Sequence, residues 1–207
     1  MVVILYDLCY NQNSCFEYKI KDTKKGKVPV MEIKEILDLY SKEEHSGFSE
    51  EEIVQAEEYI GVALPQIYRD FLKNYGKDKV NSYCHRLLVP EEISTSYQAI
   101  EEELEYDWKE EFEEVVQEGT QEEYKDNEYF TLWQLSKEEW HTITDNYVLL
   151  WVENQGVWYA GYLLSDLEQG KENPPVYVST NDDFITFEKC KDTLEEFLLA
   201  IYTAEWN

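Results

Sequence analysis

Three histidines and four cysteines are the side chains best suited to nucleophilic catalysis or metal binding. His45, His85 and His141 are far apart and lack the ligand spacing of an HExxH zinc site. The cysteines are equally scattered and match no zinc or redox motif; they are Cys9, Cys15, Cys84 and Cys190. We therefore expect reduced, non-catalytic thiols, no bound metal and no cofactor.

The carboxylates also lack the pattern of a catalytic site. Asp182-Asp183 is not followed by further ligands. A glycosidase would need two carboxylates about 5–10 Å apart across a cleft, and spacing along the chain does not indicate one. The sequence has neither a glycine-rich phosphate loop nor a GxSxG nucleophile elbow. It therefore predicts a protein that is not an enzyme.

Net charge limits the partners that this surface can bind. Lys and Arg total 18 against 45 Asp and Glu in 207 residues, a formal net charge of −27. Phosphate binding needs a basic surface, so direct nucleic-acid binding and anionic membranes are both disfavoured. A basic protein is favoured, because such a field raises its association rate by roughly 10–1,000-fold at low salt. The alternative is that the charge serves only solubility.

The acidic residues are concentrated in one stretch. Between Glu101 and Glu123 there are twelve acidic residues and one basic residue. Apolar residues there recur every three or four positions, which predicts a helix over 91–118, although like charges four apart weaken it and part can be loop. We expect this stretch to bind the basic partner. The candidate residues are Glu102, Glu103, Tyr106, Asp107, Trp108, Glu110, Glu111 and Glu114.

Periodicity along the rest of the chain predicts the elements that position this stretch. Amphipathic patterns and capping signals predict helices at 31–40, 48–61, 65–75, 136–139 and 193–202. Short apolar runs predict strands at 85–90, 129–135, 147–152, 157–163 and 176–179. The last of these is expected at a sheet edge, after a loop over 164–175. This order predicts a single α+β domain, with a twisted, largely antiparallel sheet flanked by helices.

The segment WVENQGVWYAGY, residues 151–162, predicts a β-hairpin with an unusually polar turn. The turn residues are Glu153, Asn154, Gln155 and Gly156. Asn and Gly tolerate positive φ, and a Glu can accept hydrogen bonds from nearby backbone donors, so the role of the turn is chiefly structural. The alternative is that Glu153, Asn154 and Gln155 line a binding groove. Trp158, beside Tyr106 and Trp108, is a candidate aromatic anchor for the basic partner.

Residues 1–30 form an extension that differs from the domain at 31–207. VVILY and FEYKI are strand-like and precede a basic loop, which indicates an extra hairpin at the sheet edge. The alternative is that Met31 is the natural start, and intact mass would separate the two. The apolar run at 2–5 is far shorter than the roughly 20 residues that span a bilayer. No Lys or Arg precedes it, so we expect no signal peptide and a cytoplasmic protein.

Four motifs resemble, in order, those of the SUKH superfamily. The first is FSEEEIVQAEEYIGVALPQIYRDFLKNYG, in which a capped acidic helix with a mid-helix Glu (Glu57 or Glu58) precedes Gly and Leu64-Pro65. WVENQGVWYAGY resembles the second. NPPVYV resembles the third, with Asn173 where members usually have Asp before Pro174-Pro175, and DTLEEFLLAIY resembles the closing helix. The resemblance runs from about residue 31 to 202 but does not explain 1–30 or 101–123.

This resemblance implies an α+β fold and a non-enzymatic role. Bacterial members are mostly immunity proteins of polymorphic and contact-dependent toxin systems, many of them directed against nucleases. Fungal members are cell-wall-assembly regulators that act as interaction hubs. The first hypothesis is therefore an immunity protein that blocks a cognate basic toxin, a nuclease domain. The second is a non-enzymatic regulatory scaffold, and the third, an enzyme, would need a deep pocket holding a carboxylate with a strongly shifted pKa.

Overall fold

The computed structural model describes residues 32–38, 46–77, 85–153, 158–181 and 183–203. The helices are α1 Ile33–Asp38, α2 Glu50–Ile60, α3 Gln66–Tyr75, α4 Ser96–Glu103, α5 Lys109–Glu118, α6 Glu128–Gln134, α7 Leu164–Glu168 and α8 Leu194–Thr203. The strands are β1 His85–Leu87, β2 Tyr147–Glu153, β3 Tyr159–Leu163, β4 Val176–Ser179 and β5 Phe187–Lys191. The extension predicted at 1–30 lies outside the described residues.

The five strands form one antiparallel sheet in the order β1-β2-β3-β4-β5, so each strand pairs with the next strand in the chain. All seven residues of β2 are buried, which requires cover on both faces of the sheet. A bulge between Leu149 and Trp151 shifts the β2–β3 register. The predicted α+β fold with an antiparallel sheet is confirmed.

Helices α2, α3 and α8 supply much of the apolar cover. Each buries one stripe of side chains: Ile53, Ala56 and Ile60 on α2; Tyr68, Phe71 and Leu72 on α3; Leu194, Phe197 and Leu198 on α8. Aromatic edges join helices and sheet, with ring centroids 6.0 Å apart for Tyr68–Tyr162 and 5.9 Å for Trp151–Phe197. None of the described helices has both the length and the apolar character that crossing a membrane requires.

The capping box predicted at Ser49 forms in full. The Ser49 hydroxyl accepts from the Glu52 N–H, and the Glu52 carboxylate accepts from the Ser49 N–H at 2.7 Å, the predicted capping box. At Ser136 only half of the predicted box forms, before a 3-10 turn at Lys137–Thr142: the Ser136 N–H donates to the Glu139 carboxylate at 3.1 Å, whereas the Glu139 N–H donates to the Ser136 carbonyl oxygen at 2.9 Å. These bonds satisfy backbone donors that a first helical turn leaves unpaired, and each cap contributes about 1 kcal/mol.

Three local predictions were wrong. The strand predicted at 129–135 is helix α6, because the Asn127 side chain caps it by accepting from the Phe130 N–H at 2.9 Å. The loop predicted at 164–175 begins with the short helix α7. The strand at Val176–Ser179 is not an edge strand, because β5 pairs with its outer side.

A fourth prediction was right in part. The helix predicted from 91 is divided, because a 3-10 turn at Pro90–Glu92 precedes α4.

Tyr162 carries a polar group that the core leaves unsatisfied. Its side chain is fully buried, and its hydroxyl has no hydrogen-bond partner among the described residues. Burial raises the pKa of Tyr162 well above its ordinary value. We expect Tyr162→Phe to raise the free energy of unfolding by about 1 kcal/mol, because it removes a desolvated hydroxyl and keeps the ring.

Urea unfolding of the two proteins measures this difference. Tyr68→Phe is the matched control, because the Tyr68 hydroxyl donates to the Leu150 carbonyl oxygen at 3.4 Å and its loss should not stabilise. A Tyr162→Phe protein less stable than the parent would contradict the prediction and would indicate an ordered water at this hydroxyl.

Candidate protein-binding surface

The first turn of α4 is fixed to the central strand β2. The Thr95 hydroxyl caps the helix by accepting from the Gln98 N–H. The Ser96 hydroxyl accepts from the Tyr147 N–H at 2.9 Å, and the Leu149 N–H donates to the Ser94 carbonyl oxygen at 2.9 Å. The acidic stretch that follows therefore begins from a rigid position on the sheet.

The helix continues from α4 through a π-turn at Leu104–Trp108 into α5. Its inward positions, Ser96, Ile100, Leu104, Trp108 and Phe112, are each four residues apart. Four residues overshoot one α-helical turn by about 40°, so four such steps would rotate the apolar stripe by about 160°. The wider π-turn takes up part of this rotation and keeps Phe112 inside. Such turns occur frequently at functional sites.

The π-turn separates the two aromatic residues predicted as anchors. Tyr106 points outward with 79% of its surface exposed. Trp108 is half-buried and stacks on Phe112 and Tyr129, with ring centroids 5.3 and 5.9 Å apart. Tyr106 is therefore the aromatic side chain that this surface offers to a partner, whereas Trp108 supports the helix from beneath.

The predicted carboxylates divide in the same way. Five are exposed along the helix: Glu102, Asp107, Glu110, Glu111 and Glu114. Glu111 accepts a hydrogen bond from the Tyr124 hydroxyl. Glu103 is half-buried and accepts from the Tyr129 hydroxyl; burial first, and this carboxylate second, raise the pKa of Tyr129 far above its usual range. The structure thus brings six predicted residues, including Tyr106, onto one outer face and places Glu103 and Trp108 behind it.

Sequence reasoning missed two contacts that fix this face. Lys137 forms an ion pair with Glu101 at 2.5 Å, which links the 3-10 turn to α4. The Tyr129 hydroxyl also accepts from the Phe184 N–H at 3.3 Å, which links α6 to the chain before β5. Neither contact has a local sequence signal. In the described ranges, no group of three or more His, Cys, Asp and Glu side chains is placed to hold a metal ion.

Comparison with known families decides the classification. A family model described as SMI1-KNR4 cell-wall (SUKH_6) matches residues 50–198, well over half of the chain. The chain belongs to the SMI1-KNR4 cell-wall family. This confirms the resemblance to the SUKH superfamily, and the matched range includes the acidic stretch. Searches among curated proteins and among solved structures gave no match. Members of this superfamily are generally non-enzymatic immunity or regulatory proteins.

In the first SUKH motif, Glu57 holds the two helices and the loop between them together. Its carboxylate accepts from the Leu64 N–H at 2.7 Å and from the Arg69 guanidinium, so one side chain links α2, the connecting loop and α3. Gly61 ends α2 at φ 77°, and Pro65 precedes the first turn of α3. Leu64 is buried below this corner. The motif therefore encodes the packing of two helices.

In the second SUKH motif, two described residues make contacts within the fold. Glu153 is buried at the end of β2, and its N–H donates to the Trp158 carbonyl oxygen at 2.8 Å, which closes the hairpin. Trp158 is half-buried against the core, so it is not an exposed anchor. Asn154, Gln155 and Gly156 lie outside the described residues.

Asn173, in the third SUKH motif, makes two side-chain hydrogen bonds. Its side-chain oxygen accepts from the Leu194 N–H at 3.1 Å, and its amide nitrogen donates to the Glu195 carboxylate at 2.8 Å. An aspartate could make the first bond but would repel Glu195. The following Pro174 is buried and Pro175 half-buried, where they lead into β4.

Proposed function

We propose that this chain is an immunity protein that binds and neutralises a cognate toxin, a basic nuclease domain, in the cytoplasm. The observation that carries the proposal is the outer face of α4, the π-turn and α5. It presents exposed carboxylates around one strongly exposed aromatic side chain, Tyr106. Membership of the SMI1-KNR4 family supports an immunity or regulatory role in general.

The dimensions and chemistry of this face suit a protein partner. Residues 96–118 form about 35 Å of helix, enough to cross an interface of about 800 Å² per partner. A nuclease uses Lys and Arg to hold phosphates, and the carboxylates would occupy the same groups. Rim charges mainly set the association rate, whereas a central aromatic contact slows dissociation. Tyr106 is suited to the second role.

Co-expression tests the proposal directly. The toxin would be the product of the reading frame adjacent to the gene for this chain, expressed with and without it in the same host. The expected result is restored growth together with a complex that co-purifies. Growth that stays arrested despite soluble expression of both proteins would refute the proposal.

Neutralising the outer face should slow association with that toxin. Changing Glu102, Asp107, Glu110 and Glu114 to their amides should lower the association rate about tenfold or more at low salt, because it weakens the steering field. Stopped-flow or surface-binding kinetics at several salt concentrations would measure it. Dissociation should change much less.

A matched variant separates local from global charge. It carries the same four-charge change at exposed carboxylates elsewhere: Glu51, Glu58, Glu168 and Glu172. Its association rate should stay within about threefold of the parent, since these charges lie outside the proposed face. Equal slowing by both variants would mean that net charge alone steers binding, and an association rate that ignores salt would contradict steering altogether.

A regulatory scaffold is the second candidate function. The description of the matched family model names the cell wall, which favours the regulator branch. The location of the gene discriminates between the two: a neighbouring gene with nuclease signatures favours immunity, whereas an isolated position among cell-wall genes favours the scaffold.

A further inference from the structure

Residues 104–135, which we call the acidic unit, combine the π-turn, α5, a 3-10 turn at Gln121–Tyr124 and α6. The unit holds eleven acidic residues and two lysines, a third of the net charge of −27 in less than a sixth of the chain. Both lysines pair within it, Lys109 with Glu105 at 2.7 Å and Lys125 with Glu122 at 2.8 Å. The remaining carboxylates repel one another across short distances.

Aromatic packing offsets this repulsion from inside the unit. Phe112 is fully buried and contacts Trp108, Tyr124, Phe130 and Trp133, with ring centroids 5.1 to 6.0 Å apart. Across the part of the chain that the structure describes, all seven ring contacts made by these aromatics and Tyr129 join two members of the unit. The rings of the unit thus pack on one another, at one side of the hydrophobic core that also includes the strands.

Hydrogen bonds of Trp140 and Tyr129 tie the unit to its neighbours. The α4 backbone approaches β2 more closely than the α5 or α6 backbone approaches any described strand. The Trp140 indole N–H donates to the Leu132 carbonyl oxygen at 3.0 Å. Tyr129 makes further contacts: its hydroxyl bonds to the Glu103 carboxylate and to the Phe184 N–H, and its ring stacks on Trp108. Tyr129, which belongs to the unit, therefore contacts both α4 and the chain before β5.

We propose that the acidic unit opens and closes independently of the five-stranded sheet, with Tyr129 as the clasp that holds it shut. Local opening is expected where like charge is dense, because mutual repulsion lowers the free energy that opening costs. Salt screens the repulsion and favours the closed form. The inference is separate from the proposed function, because its test requires no partner.

Amide hydrogen exchange of the intact chain tests the proposal. It is measured segment by segment, under conditions where the unit recloses faster than its open amides exchange. Amides of the unit should exchange faster than those of β2 and β3, and 0.5 M NaCl should slow the unit selectively relative to 20 mM. Tyr129→Phe keeps the stacked ring and loses the hydroxyl. It should accelerate exchange in the unit by about tenfold and leave β2 and β3 unchanged.

Tyr124→Phe is the matched control, because the Tyr124 hydroxyl donates to Glu111 within the unit and does not reach the sheet. It should accelerate exchange by no more than about threefold. Exchange of the unit and the strands at one common rate would overturn the proposal. So would an effect of Tyr129→Phe spread evenly over the chain, or one equal to that of Tyr124→Phe.

Discussion

Replacing Glu57 by Ala should lower the free energy of unfolding by about 3 kcal/mol. The side chain is only 12% exposed, and its two oxygens hold the Leu64 N–H and the Arg69 guanidinium. Alanine leaves a backbone donor without its acceptor and removes one of the two carboxylates around a cation that is 18% exposed. Both losses carry a desolvation cost that a surface pair would not. Urea and thermal unfolding would measure the change.

Glu58→Ala is the control, because it removes the same group one residue later on the exposed side of α2. It should change stability by less than about 0.5 kcal/mol. Glu57→Gln should fall between the two variants, because an amide oxygen can still accept from Leu64 while the charge opposite Arg69 is lost. Equal effects at positions 57 and 58 would contradict the role assigned to Glu57.

Periodicity could have identified Glu57 in advance. The buried stripe of α2 is Ile53, Ala56 and Ile60. Glu57 lies beside Ala56 on the edge of this stripe, four residues after Ile53 and three before Ile60, whereas Glu58 lies beyond it. What the sequence could not supply is the bond partners, since Leu64 and Arg69 reach Glu57 only once the loop after Gly61 has turned.

Local signals that satisfy backbone groups predicted structure better than apolar runs did. The capping box at Ser49 was confirmed, and the Glu139 carboxylate of the second predicted box accepts from the Ser136 N–H, because both partners lie within one turn. YFTLWQL was predicted as a strand from its aromatic and β-branched residues, but the Asn127 cap and the packing of Phe130 against Phe112 make it helical. Strand β5, FEKCK, was missed because its charged residues hide any apolar alternation.

The candidate surface was predicted in outline. The acidic face and its helix follow from the charge and from the spacing of the apolar residues. Apolar residues three or four positions apart do not by themselves indicate a π-turn. The signal was the repeated step of four from Ser96 to Phe112, which one continuous α-helix cannot keep on one side. The π-turn then decides that Tyr106 is exposed and Trp108 is packed. Binding by this face depends on a partner with complementary shape and charge, and the sequence of one chain does not describe that partner.

Gly161→Ala should destabilise the protein by about 3 kcal/mol. Gly161 lies in β3 opposite Leu149, next to the bulge of β2, and the two backbones are close together there. A Cβ at this position would lie 2.5 Å from the Val148 carbonyl oxygen and 3.3 Å from the Leu149 Cα. These are backbone atoms of a fully buried strand, so the contact can be relieved only by separating β2 from β3. Chemical unfolding measures the loss.

Gly170→Ala is the control for Gly161→Ala, because its cost comes from the backbone conformation and not from a close contact. Gly170 has φ 71°, and a Cβ there would meet nothing within 4 Å, so the cost is the left-handed backbone alone, about 1 kcal/mol. The two substitutions add the same methyl group, and their difference therefore measures the close approach of β2 to β3. A Gly161→Ala protein no less stable than Gly170→Ala would mean that the bulge yields, and that the central hairpin is not the rigid base on which α4 and the acidic face are held.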